Sequence, residues 1–494
     1  MKRILSMVLA LVMLVLSISL VACKKNEPED TDTVETTTGT VDTEDASKRL
    51  DLPEDLNYGG ADFTILMGTS TIADHCVETT TESDNIDQSL YQRDMYVKDR
   101  LGVNIKYEEA EGGYAGRDTF TNQVYNAVLG GQKEYDLLGC YSMVAPNLAL
   151  KNVLYDMRTL DYVDFSKAWY PQFMVETSTI NNKTYFMSGD ISINTLYQMQ
   201  GVVFSAIQLE VNGLNEEDLY QMVYDGKWTL EAWLTMCEDL ARETGGDGVW
   251  DEKDYYPIVV GDGPWLDSFY FASGLTLINE AADGKLEVSQ DVNDEKVLSI
   301  YSAFYDAVNT YRSAFVKNGY SEKKIVNSEC IFAVTTMAQF RTTYVDAKEQ
   351  FRVLPFPKYD ETDDTYRTLL GMGHKQYCVP NDIDDPDRSA AVLEALSYSA
   401  YTYVTPVVFE ETMKLRYSEN GDVSKMFDYL REGCIFDVGS LFYMQFSANG
   451  YKDPHSMFRN AILNSTSNWT SNYMNNYATG LVAVTKSLNE YYSK

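Results

Sequence analysis

The sequence predicts an α/β fold in two domains behind an export leader. Apolar strands and amphipathic helices alternate from Phe63 to Leu138, and a second alternation begins after Gly201-Val202-Val203-Phe204. Roughly 440 residues follow a polar N-terminal stretch, the length two domains usually take.

The first unit opens with the strand Phe63-Thr64-Ile65-Leu66-Met67. Leu90, Val97 and Leu101 then fall on one helical stripe, which Gly102 is placed to end. Val103 to Tyr107 reads as a second strand. Phe120, Val124, Ala127 and Val128 recur at helical spacing before Gly130-Gly131, and Tyr135 to Leu138 reads as a third strand. Such alternation predicts a parallel sheet with helices on its faces. Ligands in such sheets sit beyond the carboxyl ends of the strands, which nominates the loops after Met67 and Leu138. In the second unit Thr229 caps a helix whose buried stripe is Leu230, Trp233, Leu234, Cys237, Leu240 and Ala241. A strand follows from Tyr256 to Val260, and further on come Tyr377 to Pro380, a helix from about Asp387 to Tyr401, and a last helix with stripe Leu481, Val484, Leu488 and Tyr491.

The N-terminus sets the expected compartment. Lys2 and Arg3 precede an apolar run from Ile4 to Leu20, closed by Leu20-Val21-Ala22-Cys23. A basic start, a short apolar stretch and small residues describe an export leader. The closing tetrapeptide resembles the lipobox of bacterial lipoproteins, which implies a leader over 1–22 and lipidation of Cys23. Two or more acyl chains hold a protein stably at a membrane. From Lys24 to about Asn57 the chain is Thr, Glu and Asp with few large apolar side chains, the composition of an unfolded, charge-extended stalk.

The formal charge is −34, and loss of Lys2 and Arg3 with the leader makes it −36. This repels nucleic acid and anionic lipid head groups, so membrane contact is expected through the lipid anchor only. The remaining cysteines (Cys76, Cys140, Cys237, Cys330, Cys378, Cys434) are widely spaced, which does not read as a zinc site. They are expected as mostly buried free thiols, with room for one disulfide. The three histidines, His75, His374 and His455, form no His-x-x-x-His motif, and there is neither a Gly-x-Ser-x-Gly elbow nor a Walker phosphate loop. No metal and no cofactor is expected, and an enzyme reading has no positive support.

Tyr135-Asp136-Leu137-Leu138, Ala149 to Met157, Lys183 to Met187, Gly201 to Phe204, Gly226 to Leu234, Cys330 to Phe340, Arg352 to Pro357 and Tyr377 to Pro380 occur in an order that resembles the family-1 extracellular solute-binding proteins of ABC importers, the maltose-binding-protein class. Gly226 to Leu234 is the most specific local match. Asn152 stands where relatives carry glycine, Ser188-Gly189 where they carry proline, and Ser205 where Asn is common. The resemblance implies a two-lobed, periplasmic-binding-protein-like clamshell, each lobe a sheet flanked by helices, joined by two or three crossing strands. It places the first lobe at 58–203 plus 375–435 and the second at 204–374 plus 436–494. It further implies a monomer that holds a small solute, a sugar or oligosaccharide, and presents it to ABC transporter permease subunits. A peptide or other polar solute, a secreted carbohydrate-active hydrolase and an adhesion protein are the alternatives.

The site should be a cleft between lobes, mostly apolar with a few placed polar groups. Tyr141 and Ser142 follow the third strand, and Trp265 and Asp267 sit in Gly261-Asp262-Gly263-Pro264-Trp265-Leu266-Asp267, a Gly/Pro turn presenting an aromatic. Met337, Phe340 and Arg341 belong to the element that in relatives lines the cleft, and Asp190 borders it. The competing readings are plain ones: Trp265 as a lid on the core, Arg341 in a surface salt bridge, Asp190 as a turn cap.

Overall fold

The computed structural model describes residues 45–494 except Thr71, Asp346, Lys348, Gln350, residues 416–420 and Ser467. The leader, Cys23 and the stalk as far as Glu44 lie outside the described residues. Residues 45–57, assigned by composition to the stalk, lie against the fold. Leu52 is buried, Lys167 Nζ donates to Asp51 Oδ2 at 2.5 Å and to the Ala46 carbonyl, and Arg100 donates to the carbonyls of Leu52 and Pro53.

The chain first forms β1 (Ala61–Gly68), β2 (Val103–Ala110) and β3 (Leu137–Tyr141). Next come β4 (Gln200–Phe204), β5 (Ile258–Val260), β6 (Ala314–Val316), β7 (Phe332–Thr336) and β8 (Arg352–Leu354), before the chain returns with β9 (Lys375–Cys378). One sheet has the order β9-β3-β1-β2 and the other β8-β4-β7-β5-β6. Within the first, β1 pairs parallel with β2 and β3, and only β9 runs against them. In the second, β5, β6 and β7 are mutually parallel and β4 runs antiparallel to β7 and β8. Helices α1 (Asn85–Leu101), α2 (Arg117–Leu129) and α3 (Val144–Leu150) follow β1, β2 and β3 in turn; α4 (Leu230–Cys237) and α5 (Glu295–Asn309) belong to the second sheet, and α6 (Pro386–Ser399) follows β9.

Local chemistry accounts for these boundaries. Asp84 caps α1 by accepting from Asp87 N–H, and Gly102 ends it at φ 59°, a left-handed position that favours glycine. Thr229 caps α4 as its sequence position predicts. That helix stops at Cys237, short of Leu240 and Ala241, because Arg242 bridges Tyr255 and lays its guanidinium 3.9 Å over that ring. β3 begins at Leu137, later than its apolar run suggests, because Asp136 turns its carboxylate onto Thr64 N–H and the Arg388 guanidinium.

Three chain passages run side by side where the lobes join. Met199 bridges Leu370, Gly371 N–H donates to the Gln198 carbonyl, and Thr368-Leu369 pairs in parallel with Cys434-Ile435. A side chain at Gly433 would meet the Tyr366 carbonyl oxygen at 2.0 Å, so only glycine lets these backbones come together. Of the cysteines, Cys76 is half-buried and the other five described ones are buried free thiols, Cys140 and Cys378 having sulfurs 3.9 Å apart on β3 and β9. Among the described residues no helix is long and apolar enough to cross a membrane.

Candidate functional site

The carboxyl end of β3 pairs with the start of β9, and that of β7 with the start of β4, so both sheets aim their loop-bearing ends at the crossings. The loops after β1, β2, β3, β5 and β7 therefore face one another between the lobes, where an open α/β sheet holds its ligands.

In the first lobe an aromatic group forms around Tyr141. Tyr141 is half-buried at the end of β3, and burial, with Tyr114 adding to it and Arg117 opposing, pushes its phenol up to about 12. Tyr114 is 52% exposed on the loop after β2. The Arg117 guanidinium lies 4.4 Å over its ring and also donates to its carbonyl, while its hydroxyl is 3.0 Å from that of Tyr443. Glycine makes this loop. A side chain on Gly112 would meet Gly68 Cα at 2.7 Å, and one on Gly116 the Glu111 carbonyl at 2.6 Å. The chain thus folds tightly back on the end of β1 and holds Tyr114 outward.

In the second lobe the 3-10 turn Pro264–Asp267 carries Trp265. The indole's six-membered ring packs against two glycines: a side chain would meet it at 2.5 Å from Gly261 and 2.8 Å from Gly263. The ring is half-buried, and its Nε1–H has no acceptor among the described residues. Asp267 faces inward instead, fully buried, with His455 Nε2 at 3.1 Å and Arg459 Nη2 at 3.5 Å from its Oδ2.

The C-terminal segment touches both groups. Tyr443, in α7 (Tyr443–Ala448), meets Tyr114; burial first, then Tyr114 and Asp453, raise its phenol, and Asp453 also faces His455. His455 and Arg459 then reach Asp267. Tyr114, Arg117, Tyr443 and His455 were not among the candidates from sequence. Tyr114 could have been, since Glu111-Gly112-Gly113-Tyr114-Ala115-Gly116 frames an aromatic with glycine as the Trp265 turn does.

Several candidates turn out to serve packing. Ser142 is buried and donates to the Met372 carbonyl at 2.7 Å. Met337 is buried with its amide on the Met199 carbonyl, and Phe340 is buried edge-on to Tyr344 and Phe427. The β7 end bends into a 3-10 turn, Met337–Phe340, that sends these side chains inward. Arg341 stays near the surface and spans the lobes, its guanidinium 3.1 Å from Asp84 and 3.8 Å from Asp87 at the start of α1. Asp190 lies apart from both aromatic groups, in a cavity of about 540 Å³ that it shares with Phe173, Met199, Phe409 and Arg431. Burial raises its carboxyl to about 6, although Arg431 lies 3.6 Å away. A cavity of about 660 Å³ between α4 and α5 holds none of the candidate residues.

Ser440 Oγ, His455 and Asp267 lie in line, with Ser440 Oγ 2.6 Å from His455 Nδ1. Hydrolytic use of this line would need an accessible nucleophile, and Ser440 is fully buried. The arrangement is a buried ion-pair network.

No family model and no curated protein sequence matches the chain. Solved structures do. The galacto-N-biose/lacto-N-biose I-binding protein of an ABC transporter from Bifidobacterium longum, solved with lacto-N-biose, is similar with a TM-score of 0.56 at 10% identity, over 88% of this chain and 98% of that one. UgpB from Mycobacterium tuberculosis, solved with glycerophosphocholine, gives 0.55 at 14% identity over 85% and 97%. An ABC substrate-binding protein from Listeria monocytogenes, solved with cycloalternan, gives 0.52 at 14% identity over 87% and 99%. The expected clamshell is borne out: the chain has the two-lobed fold of ABC-transporter solute-binding proteins, each lobe a sheet flanked by helices.

Proposed function

We propose that this protein captures a carbohydrate between its lobes and delivers it to an ABC-type importer, held at the extracytoplasmic face of the membrane by lipid on Cys23. The observation that carries the reading is the pair of glycine-framed aromatic platforms, one on each lobe: Tyr114 with Tyr141 and Tyr443, and Trp265. Aromatic faces stack on the C–H side of sugar rings. The Arg117 guanidinium beside the Tyr114 ring suits hydroxyl oxygens. The similar structures solved with lacto-N-biose and cycloalternan support the carbohydrate class, and their description as binding proteins supports a role without turnover. A monomer that meets permease subunits follows from the same reading.

The test is a titration against maltotetraose, lacto-N-biose, glycerophosphocholine and a dipeptide, followed by calorimetry and tryptophan fluorescence. Saturable binding of an oligosaccharide, with the sugar recovered intact, is the expected result. Cleavage of the sugar would establish the hydrolase instead, and binding of the dipeptide or the phosphodiester alone would reassign the solute.

A further inference from the structure

Beneath the Trp265 turn lies a cluster of charge that solute capture does not by itself require. Asp267, two residues after Trp265, is fully buried, and neither carboxylate oxygen has an aligned hydrogen-bond donor among the described residues. What it has is cations at ion-pair distance: His455 Nε2 at 3.1 Å and Arg459 Nη2 at 3.5 Å. A buried carboxylate without aligned donors depends on counter-charge. The other side of the imidazole meets Ser440 Oγ at 2.6 Å, which in turn lies 3.4 Å from Asp437 Oδ1. With the Ser440 proton directed to Asp437, its oxygen accepts from Nδ1–H, and the ring carries a proton on each nitrogen.

Charged groups from four segments bear on this state. Asp267 comes from the Trp265 turn, Asp453 from the segment before the histidine, Asp437 from the cap of Val438–Leu441, and Arg459 from the helix Met457–Leu463. Phe271 stacks on the ring at 5.1 Å and shields it from water. Burial alone would depress the imidazole, but Asp267 and Asp453 outweigh it, against Arg459, and hold it above its ordinary value.

We propose that His455 is a positioning residue for the site proposed above, clamping the Trp265 turn as an imidazolium between Asp267 and the Ser440–Asp437 pair. The clamp deepens that reading by making solute capture pH-sensitive. It is complete below the raised value for as long as the facing carboxylates stay ionised, and it is released as pH rises through that value, because deprotonation leaves Asp267 buried with the more distant Arg459 as its ion-pair partner among the described residues. One unit of difference in His455 affinity for its proton between the clamped and loose turn changes the ratio of clamped to loose molecules about ten-fold.

The test reads the ligand-free protein first, so it stands even if the solute class is wrong. The ring protons of His75, His374 and His455 are followed by NMR against pH, with assignment by His455→Gln. His455 should titrate above the ordinary imidazole range, and Asp267→Asn or Ser440→Ala should lower its midpoint. Acrylamide quenching of the fluorescence that Trp265→Phe removes should rise about two-fold through the same pH range and stay high throughout in His455→Gln, as a population shift between clamped and loose turns requires. Maltotetraose affinity should fall over that range in the parent and be flat in the variant. Should His455→Gln fold poorly, Ser440→Ala gives the comparison instead: its quenching transition should move down in pH together with the lowered His455 midpoint. Titration of His455 at or below the ordinary value, or quenching that ignores its protonation, would overturn the clamp. A clamp seen by NMR and quenching in a protein that binds no sugar would leave the clamp standing and remove the carbohydrate reading.

Discussion

Trp265→Ala separates ligand recognition from packing at one residue. Truncating a fully buried tryptophan costs on the order of 3–5 kcal/mol of folding stability, from lost transfer energy and the cavity left behind. Trp265 is only half-buried and rests on two glycines, which have no side chains to lose contact with it. Its Nε1–H has no protein acceptor to forfeit. The folding cost should therefore be about 1–2 kcal/mol, well below the full-burial figure. Loss of a stacking face should cost roughly 1–3 kcal/mol of solute affinity, by analogy with bases stacked on aromatic side chains. Urea unfolding at constant pH gives the first number and calorimetry on the folded protein the second. A loss of 3 kcal/mol or more in stability with unchanged affinity per folded molecule would make Trp265 a core lid and leave Tyr114 and Tyr141 as the aromatic contacts.

Two buried groups titrate in opposite senses over one pH window. Asp190 is raised from 3.8 to about 6, so its contribution is present below the lower value and lost as pH rises, worth about 3 kcal/mol. Asp190→Asn should flatten that loss in urea unfolding between pH 4 and 7, and an unchanged pH profile would contradict it. His374 is depressed to about 4 by burial, with its Nδ1 2.9 Å from the Gly371 carbonyl at the crossing. Its contribution is present above the unfolded value near 6.5 and lost as pH falls, again about 3 kcal/mol. His374→Gln should remove the acid-side loss, and equal acid sensitivity of parent and variant would refute it. Cys23→Ser should leave an uncleaved precursor or release protein without lipid; intact acylation of that variant by mass spectrometry would end the lipoprotein reading.

The first lobe was legible because its signals are local. The stripe of α1, its Asp84 cap and Gly102 all lie within one stretch of sequence, and the parallel β1, β2 and β3 follow from the alternation around them. Errors came where a distant partner decides. Arg242 with Tyr255 cuts α4 short, and Asp136 with Arg388 delays β3. The same reason explains the site. The turn that carries Trp265 could be read from its glycines and proline, whereas Met337 and Phe340 share their apolar pattern with any core and are buried. Asp267 looked like a partner of Trp265 at the cleft, but the group that turns it inward, His455, lies far along the chain.

Lobe movement in this protein has to contend with contacts besides the crossings, and salt distinguishes two sets of them. On one side Arg341 pairs with Asp84 and Asp87, all partly exposed, so the pair should contribute below about 1 kcal/mol and weaken as the Debye length shrinks. On the other side the C-terminal segment holds α3 through Gln445 Nε2 on Asn147 Oδ1 at 2.8 Å and Tyr491 hydroxyl on the Ala149 carbonyl at 2.5 Å, while His455 and Arg459 hold the second lobe. Those two hydrogen bonds to α3 are neutral and part-buried, about 1 kcal/mol each, and indifferent to salt. If the Arg341 pair restrains opening, the ligand-free radius of gyration by small-angle scattering should grow with salt, and Arg341→Gln should be large at every salt concentration. If the C-terminal segment restrains it, Gln445→Ala with Tyr491→Phe should enlarge the protein equally at low and high salt, with Arg341→Gln like the parent. A radius unmoved by salt and by both sets of substitutions would move the restraint to the Tyr114–Tyr443 and Asn181–Tyr492 contacts or to the three crossings. There the glycine-tight backbone contacts around Gly371 and Gly433 would set how far the lobes swing.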